Sequence, residues 1–483
     1  MMWWLILPAF LLIFIAVLIG RAWFPAPPAS GKAVGGASGP MPVFDRSGAV
    51  TRLGRLIASP TVSRRDPADM DQAVFDRFRE ELLPSLYPLV HSRLIRERIG
   101  DSGLLYRWAG RSAENPSVLM SHYDVVPVRE TGWTHPPFGG EVHGGELWGR
   151  GALDTKLTLC AVFEATEHLL REGFVPDNDI YLSFAGDEEV IGQSAPAIVD
   201  VLSARGIRPS LVLDEGGAVL EGAFPGIPGQ AALIGVAEKG MMDLELTVPG
   251  LGGHASTPPR STAAGRLARA VVRVERRRFR PGLPQPVREL LTGLAPKAPF
   301  ALRVVFSNLW CFGPLVARLS GHFSKELGAM TRTTLAFTML EGSKQANVLP
   351  AKASAVANIR MLKGDTMDRV AAHVLRAAKD PSITHRILQS NEASPATSLG
   401  SPAWRKVRDA VSAVWPDALV LPYLMVACTD SRHFCRISDQ VLRFSAMEIT
   451  SAQMASIHND DERVSTAAVE KCVEFYMRLV RTL

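Results

Sequence analysis

Apolar and polar positions divide the chain into stretches of different period. Met1 to Gly20 carries no charged side chain, and Trp3, Trp4, Leu5, Ile6, Leu7, Phe10 through Ile15, and Val17 through Ile19 leave no polar face. Such a run predicts a helix matching the hydrocarbon thickness of a bilayer, which takes roughly 20 residues. No basic leader or small-residue cleavage site accompanies it, so residues 1–22 read as an uncleaved membrane anchor rather than a signal peptide. Residues 23–44 then change to Pro, Ala, Gly and Ser, as in a tether.

Beyond the tether, helical and strand-like segments alternate. Asp71 to Leu89 has helical spacing, with Val74, Phe75, Phe78, Leu82 and Leu83 on one side, and Leu157 to Arg171 predicts an amphipathic helix. Ser117 to Met120, Ile180 to Phe184 and Leu211 to Leu213 are short apolar runs of buried-strand type. Continuous apolar strands alternating with helices predict an α/β fold with a mainly parallel sheet covered by helices. After Gly235 the order becomes strand (Met242 to Val248), helix (Ala263 to Val274), strand (Thr333 to Met339), strand (Ala353 to Arg360), helix (Met367 to Ala378) and strand (Ile383 to Gln389). This is the split βαβ, ferredoxin-like order. It places an α+β lid over 237–395, with a Pro- and Leu-rich insertion at 281–330, inside a catalytic unit formed by 45–236 and 396–483.

Composition narrows the classes. With 53 basic and 48 acidic side chains the net charge is +5, too mild to imply a nucleic-acid partner. The basic cluster from Arg273 to Arg280 ends an amphipathic helix and reads as a solvated terminus. Five scattered cysteines form no disulfide framework.

The chemistry lies in short polar segments, several of them directly after an apolar run: Ser121-His122-Tyr123-Asp124, Gly149 to Asp154, Gly186-Asp187-Glu188-Glu189, Leu213-Asp214-Glu215 and Ile457-His458-Asn459. In a parallel sheet, ligands bind beyond the carboxyl ends of the strands. Paired divalent ions need a bridging carboxylate, imidazoles and further carboxylates, and a separate carboxylate must stay off the metals to serve as base. His122, Asp154, Glu188, Glu189, Asp214 and His458 supply that set.

These segments, with Gly252-Gly253-His254-Ala255-Ser256 and Asn347-Val348-Leu349-Pro350, resemble the di-zinc aminoacylase and carboxypeptidase family that includes glutamate carboxypeptidase. Within it the similarity is greatest to carboxypeptidase S and to enzymes that make or hydrolyse N-acyl amino acids. The resemblance covers the chain from about Arg46 onward. It implies a zinc-exopeptidase-like fold and two Zn2+ ions, with Co2+ or Mn2+ as alternatives. It makes Asp154 the bridge, places His122 and Asp214 on one ion and Glu189 and His458 on the other, and gives a metal-bound hydroxide with Glu188 as general base. Asp124 fixes the His122 tautomer, His254 stabilises the oxyanion, Arg360 grips the substrate carboxylate, Asn347 adds a polar contact, and Arg432 lies near the substrate.

The implied reaction is hydrolysis of an amide to an amino acid with a free carboxylate, the substrate being a short peptide or an N-acyl amino acid. Fold alone does not fix activity, and an inactive, membrane-tethered binding ectodomain is the alternative from another class. The resemblance also suggests a homodimer through the lid. The apolar N-terminus suggests a single-helix anchor with the catalytic part on the extracytoplasmic side.

Overall fold

The computed structural model describes residues 3–25, 42–129 and 131–483. Most of the tether expected at 23–44 lies outside these residues, as do Met1 and Met2.

A mixed sheet of eight strands forms the main layer, in the spatial order Ile95–Ile99, Gly103–Trp108, Asn178–Ala185, Ser112–His122, Leu211–Glu221, Val441–Ile449, Gln230–Glu238 and Leu419–Met425. Its centre is parallel, from Asn178–Ala185 to Val441–Ile449, and antiparallel pairings flank that centre. The parallel strands are almost wholly buried because helices cover them. Lys156–Arg171, Pro402–Val414 and Thr466–Val480 contribute to the larger core, and Ser194–Ala204 packs with Val118, Met120 and Val212 in a separate cluster. Serines start two of these helices: the Ser401 and Ser465 hydroxyls accept from the backbone N–H groups of Trp404 and Ala468.

A second sheet is antiparallel, in the order Thr334–Glu341, Lys352–Met361, Gly240–Pro249 and Thr384–Asn391. Leu244, Leu246, Val248, Ala355, Ala357 and Ile359 pack it against helices Ala263–Arg276 and Met367–Ala378. The alternation read at Met242 to Val248 is therefore a half-exposed strand with one face under helices.

One expected helix is corrected in part, and the insertion, described from the sequence by composition alone, gains its elements. The helix expected from Asp71 to Leu89 runs without a break from Gln72 to Leu86, with a π-helical turn at Phe78–Leu82. It ends at Tyr87, where φ is −130°, and a new helix, Pro88–Arg93, starts with Pro88 in its first turn, where the missing N–H costs nothing. The insertion is helical throughout most of its length: Gln285–Leu294, Phe300–Ser307, Leu309–Phe323 and Lys325–Met330. Its Val287, Leu290, Leu291 and Leu294 pack against Leu233, Leu421 and Leu424 at the sheet edge.

Among the described residues no single helix is long and apolar enough to cross a membrane; the anchor expected at 1–22 lies partly outside them. The N-terminal helix runs Trp3–Trp23, and Ala9–Trp23 is its described apolar part.

Candidate metal centre and active site

The sheet delivers its polar residues where its central strands end. His122 closes strand Ser112–His122, and Asn178–Ala185 beside it runs into the turn carrying Glu188 and Glu189. Gly186 sits at that exit because a Cβ there would collide with the Tyr123 ring. Asp154 ends a loop whose backbone is held from the far end of the chain. Glu462 Oε1 accepts from the N–H groups of Gly151, Leu153 and Asp154 at 3.1, 2.7 and 3.1 Å, while its Oε2 accepts from Arg150 Nη1 at 2.6 Å.

Asp154 lies between the two histidines. Its Oδ1 is 3.0 Å from His122 Nε2 and its Oδ2 is 2.9 Å from His458 Nε2. Glu189 Oε2 lies 3.1 Å from His458 Nε2. His458 reaches this position from a loop in which its own φ is 59°, an uncommon left-handed conformation for a residue with a side chain.

Asp124, fully buried, connects the parts. Its carbonyl is 3.0 Å, and its Oδ1 3.3 Å, from His122 Nδ1, which favours a proton on Nδ1 and leaves the Nε2 lone pair facing the carboxylates. The same carboxylate accepts from Glu188 N at 3.1 Å and Glu189 N at 3.2 Å. One side chain therefore sets both the imidazole and the tandem glutamates.

The acid that meets His122 beside Asp154 is Glu215, with Oε1 3.5 Å from Nε2. His122, Glu188 and Glu215 form one group of potential ligand atoms, and His122, Asp154 and Glu189 another, each within 4.8 Å of one another. Asp214 lies outside both groups, and its Oδ2 accepts from Ser431 N at 2.8 Å. The strand pairing is irregular directly after Asp214, and the charge of His122 acts on both Asp214 and Glu215. The adjacent pair was visible in the sequence, but not which member lies in direct contact with His122.

Electrostatics show how many charges compete here. Burial pushes the Glu188 and Glu189 carboxyls up, and it raises Glu215 to about 8 with help from Asp154. Burial also raises Asp430, to about 8. At Asp154 burial acts upward as well, but hydrogen bonds from both histidines outweigh it and hold the group low. The Asp154 and Glu189 carboxylates raise His458 to about 10.

This donor set fits divalent cations. Glu189 Oε1 is buried with no hydrogen-bond partner, and unpaired acceptors converging in a buried site call for positive charge. Mixed imidazole and carboxylate ligands suit zinc, and cobalt or manganese after it.

The lid residues lie apart from this cluster. His254 and Asn347 are neighbours on the two-stranded pairing of Gly253–His254 with Val348–Leu349, where Ala255 N donates to Asn347 O at 3.0 Å. Both are exposed, and His254 Nδ1 pairs with Ser256 Oγ at 2.7 Å. Among the described residues no hydrogen bond or ion pair joins either to His122, Asp154 or Glu188. Arg360 extends from its lid strand to the catalytic part: Nη1 lies 3.0 Å from Cys428 Sγ, and Nε donates to Asn358 Oδ1 at 3.1 Å. Arg432 turns back onto its own loop and donates to Thr429 O at 2.6 Å. That loop is anchored by the buried pair Glu238 and Arg443, 2.8 Å apart, with Thr429 N donating to Glu238 Oε1 at 3.3 Å.

The pattern of Peptidase family M20/M25/M40 matches residues 118–482. A probable carboxypeptidase S-like 2 of Dictyostelium discoideum is 33% identical, covering 89% of this chain and 84% of that protein. The N-fatty-acyl-amino acid synthase/hydrolase PM20D1 of Xenopus tropicalis is 33% identical, covering 90% and 86%. Among solved structures, the M20 family metallo-carboxypeptidase Sso-CP2 from Sulfolobus solfataricus superposes with a TM-score of 0.67 at 16% identity, covering 90% of this chain and 98% of that one. Human carnosine dipeptidase 1 gives 0.64 at 14% identity, covering 92% and 99%. The match runs from the strand bearing His122 to the C-terminal helix: the chain belongs to peptidase family M20/M25/M40, and it is an enzyme of the metallopeptidase and amidohydrolase type.

Proposed function

We propose that this enzyme hydrolyses the amide bond of N-acyl amino acids, releasing an amino acid with a free α-carboxylate, and that a long apolar acyl chain is the preferred acyl group. The carrying observation is the convergence of His122, His458, Glu189 and Glu215 around Asp154 while Glu188 sits on a backbone fixed by Asp124. Two bound divalent cations, zinc in the first instance, would supply Lewis acidity for the scissile carbonyl and lower the pKa of water. His122, Asp154, Glu189, Glu215 and His458 would hold them, with Asp214 supporting the neighbouring loop through Ser431.

Glu188 takes the proton from the attacking water and passes it to the leaving amine, and burial, by raising its pKa, suits it to both transfers. Arg360 binds the substrate carboxylate through its guanidinium, a bidentate geometry that lysine cannot reproduce. His254 hydrogen-bonds the carbonyl oxygen once the lid, or a second copy of the chain, brings it to the cleft. Support for the fatty-acyl preference comes from the relatives named N-fatty-acyl-amino acid synthase/hydrolase at 32–34% identity.

The second reading is a carboxypeptidase of short peptides, favoured by the carboxypeptidase S-like relatives. The full-length, zinc-loaded enzyme should be offered N-fatty-acyl amino acids beside blocked dipeptides, with released amine as readout. Higher kcat/KM on the fatty-acyl series supports the proposal; turnover of dipeptides alone overturns it in favour of the peptidase reading.

A further inference from the structure

The insertion has an outer face with no role in the catalytic reading. Helix Gln285–Leu294 buries its apolar side against the sheet edge and so fixes the insertion to the catalytic part. The next two helices, Phe300–Ser307 and Leu309–Phe323, bend through 108° at Asn308 and together have the length and composition of a broken membrane segment. They turn Phe300, Trp310, Leu315 and Phe323 outward, with Phe323 70% exposed. Single exposed apolar residues need no explanation, but a contiguous patch does.

The N-terminal helix lies against part of this face and joins two of its aromatic side chains to its own apolar surface. Phe14 meets Trp310 edge-on at 5.9 Å, and Trp23 meets Phe300 at 5.9 Å. Polar contacts fix the arrangement. Asn308, fully buried at the bend, donates to Leu18 O at 3.0 Å and Val304 O at 2.8 Å, and Arg21 Nε donates to Ser307 O at 3.1 Å. The N-terminal helix adds its own exposed Phe10, Leu11, Leu12 and Ile13. The stretch 295–332 that bears this surface carries Lys297, Arg303, Arg318, Lys325 and Arg332 against the single acid Glu326, and Arg318 and Lys325 are exposed.

We propose that helices Phe300–Ser307 and Leu309–Phe323, together with the N-terminal helix, form one monotopic platform that docks into a lipid bilayer, its apolar side chains among the acyl chains and its basic side chains among anionic headgroups. Apolar area beside an excess of cations is what an interfacial surface requires. Neither helix of the bent pair reaches across alone: Phe300–Ser307 rises about 12 Å and Leu309–Phe323 about 22 Å, against a hydrocarbon core of about 30 Å. Because Gln285–Leu294 ties the platform to the sheet edge, docking sets the orientation of the whole catalytic part relative to the bilayer. This inference concerns attachment and stands whichever substrate the active site prefers.

The full-length protein should be placed in nanodiscs of phosphatidylcholine with phosphatidylglycerol and labelled with a bilayer-partitioning diazirine, and the labelled peptides mapped. Label in both 9–23 and 300–323 is the expected result. A W310E/L315E/F323E variant should lose the label at 300–323 by at least about tenfold while keeping that at 9–23 and its turnover of a soluble substrate. Label confined to 9–23 in the parent overturns the proposal. So does a pair of chains, seen by analytical ultracentrifugation, with 300–323 unlabelled by lipid, which would make the face a contact between copies.

Discussion

Glu462 holds Asp154 in place: the Asp154 backbone N–H donates to Glu462 Oε1 at 3.1 Å although the two residues lie 308 positions apart. The same oxygen collects two more N–H groups of the 149–154 loop, and Arg150, 2% exposed, neutralises the other oxygen. The residue proposed to bridge two cations therefore depends on a buried ion pair outside the ligand set. Glu462→Ala strands the Arg150 guanidinium in the interior, a loss of about 3–5 kcal/mol for a broken buried pair. Denaturant unfolding should show it. Metal affinity, followed by competition with a chelator, should fall about 10–100-fold, as when a group that orients metal ligands is removed. Unchanged metal affinity in the folded variant would mean that the loop keeps its shape without Glu462.

Glu188 and Glu189 share a backbone position fixed by Asp124 but face different tasks. Glu188→Gln keeps the size of the side chain and removes the proton shuttle. Turnover should drop by about 10²–10⁴-fold, the usual contribution of a general base. Metal content by atomic emission should stay at the parental value, whereas Glu189→Gln should lower it.

Asp214 and Glu215 give opposing expectations. Glu215→Ala should remove about one equivalent of metal, because Glu215 is the acid near His122. Asp214→Asn retains an oxygen for the Ser431 N–H and should keep both equivalents, with a modest loss of activity. The reverse result would return the ligand role to Asp214.

Arg360→Lys tests carboxylate recognition. A single ammonium cannot replace a fork of guanidinium donors, so KM should rise about tenfold or more, in line with about 1.5–3 kcal/mol for a hydrogen bond to a charged group. Substrates whose carboxylate is esterified should discriminate far less between parent and variant.

Much of the fold was legible because the signals were local and repeated. Met367 to Ala378 is a helix with those same bounds, since its apolar residues recur at helical spacing and Thr366 caps it. His122, Asp154, Glu188, Glu189 and His458 were legible because each sits in a short polar segment of distinctive chemistry. What stayed hidden was set by long-range packing. Edge strand Leu419–Met425 is stabilised by helix Gln285–Leu294 of the insertion, which no local pattern reveals. Glu462 looks like one of several acids in Asn459-Asp460-Asp461-Glu462 until the chain folds 312 residues back onto Arg150. Which of Asp214 and Glu215 contacts His122 depends on the irregular pairing of Leu211–Glu221 with Val441–Ile449 at that point, which is set by residues more than 200 positions away.

The lid has an electrostatic tie that can be titrated away from the metal centre. Arg266, on helix Ala263–Arg276, pairs with both oxygens of Asp380 at 2.9 Å, and this hydrogen bonding, with further support from Ser382, lowers the Asp380 carboxyl to about 2. An unfolded aspartate titrates near 3.9. The folded value is the lower one, so the stabilisation is fully present above about pH 4 and is lost as pH falls from there through about 2. The pair is partly exposed, and solvent screening limits it to about 1 kcal/mol at most. Asp380→Asn should therefore destabilise the protein by up to that amount at pH 7, and the gap between parent and variant should narrow steadily below pH 4. Urea midpoints measured on both proteins from pH 7 down to the lowest pH at which they remain folded provide the check. A gap that stays constant over that range would mean that Asp380 acts through its hydrogen bonds to Ser382 rather than through its charge.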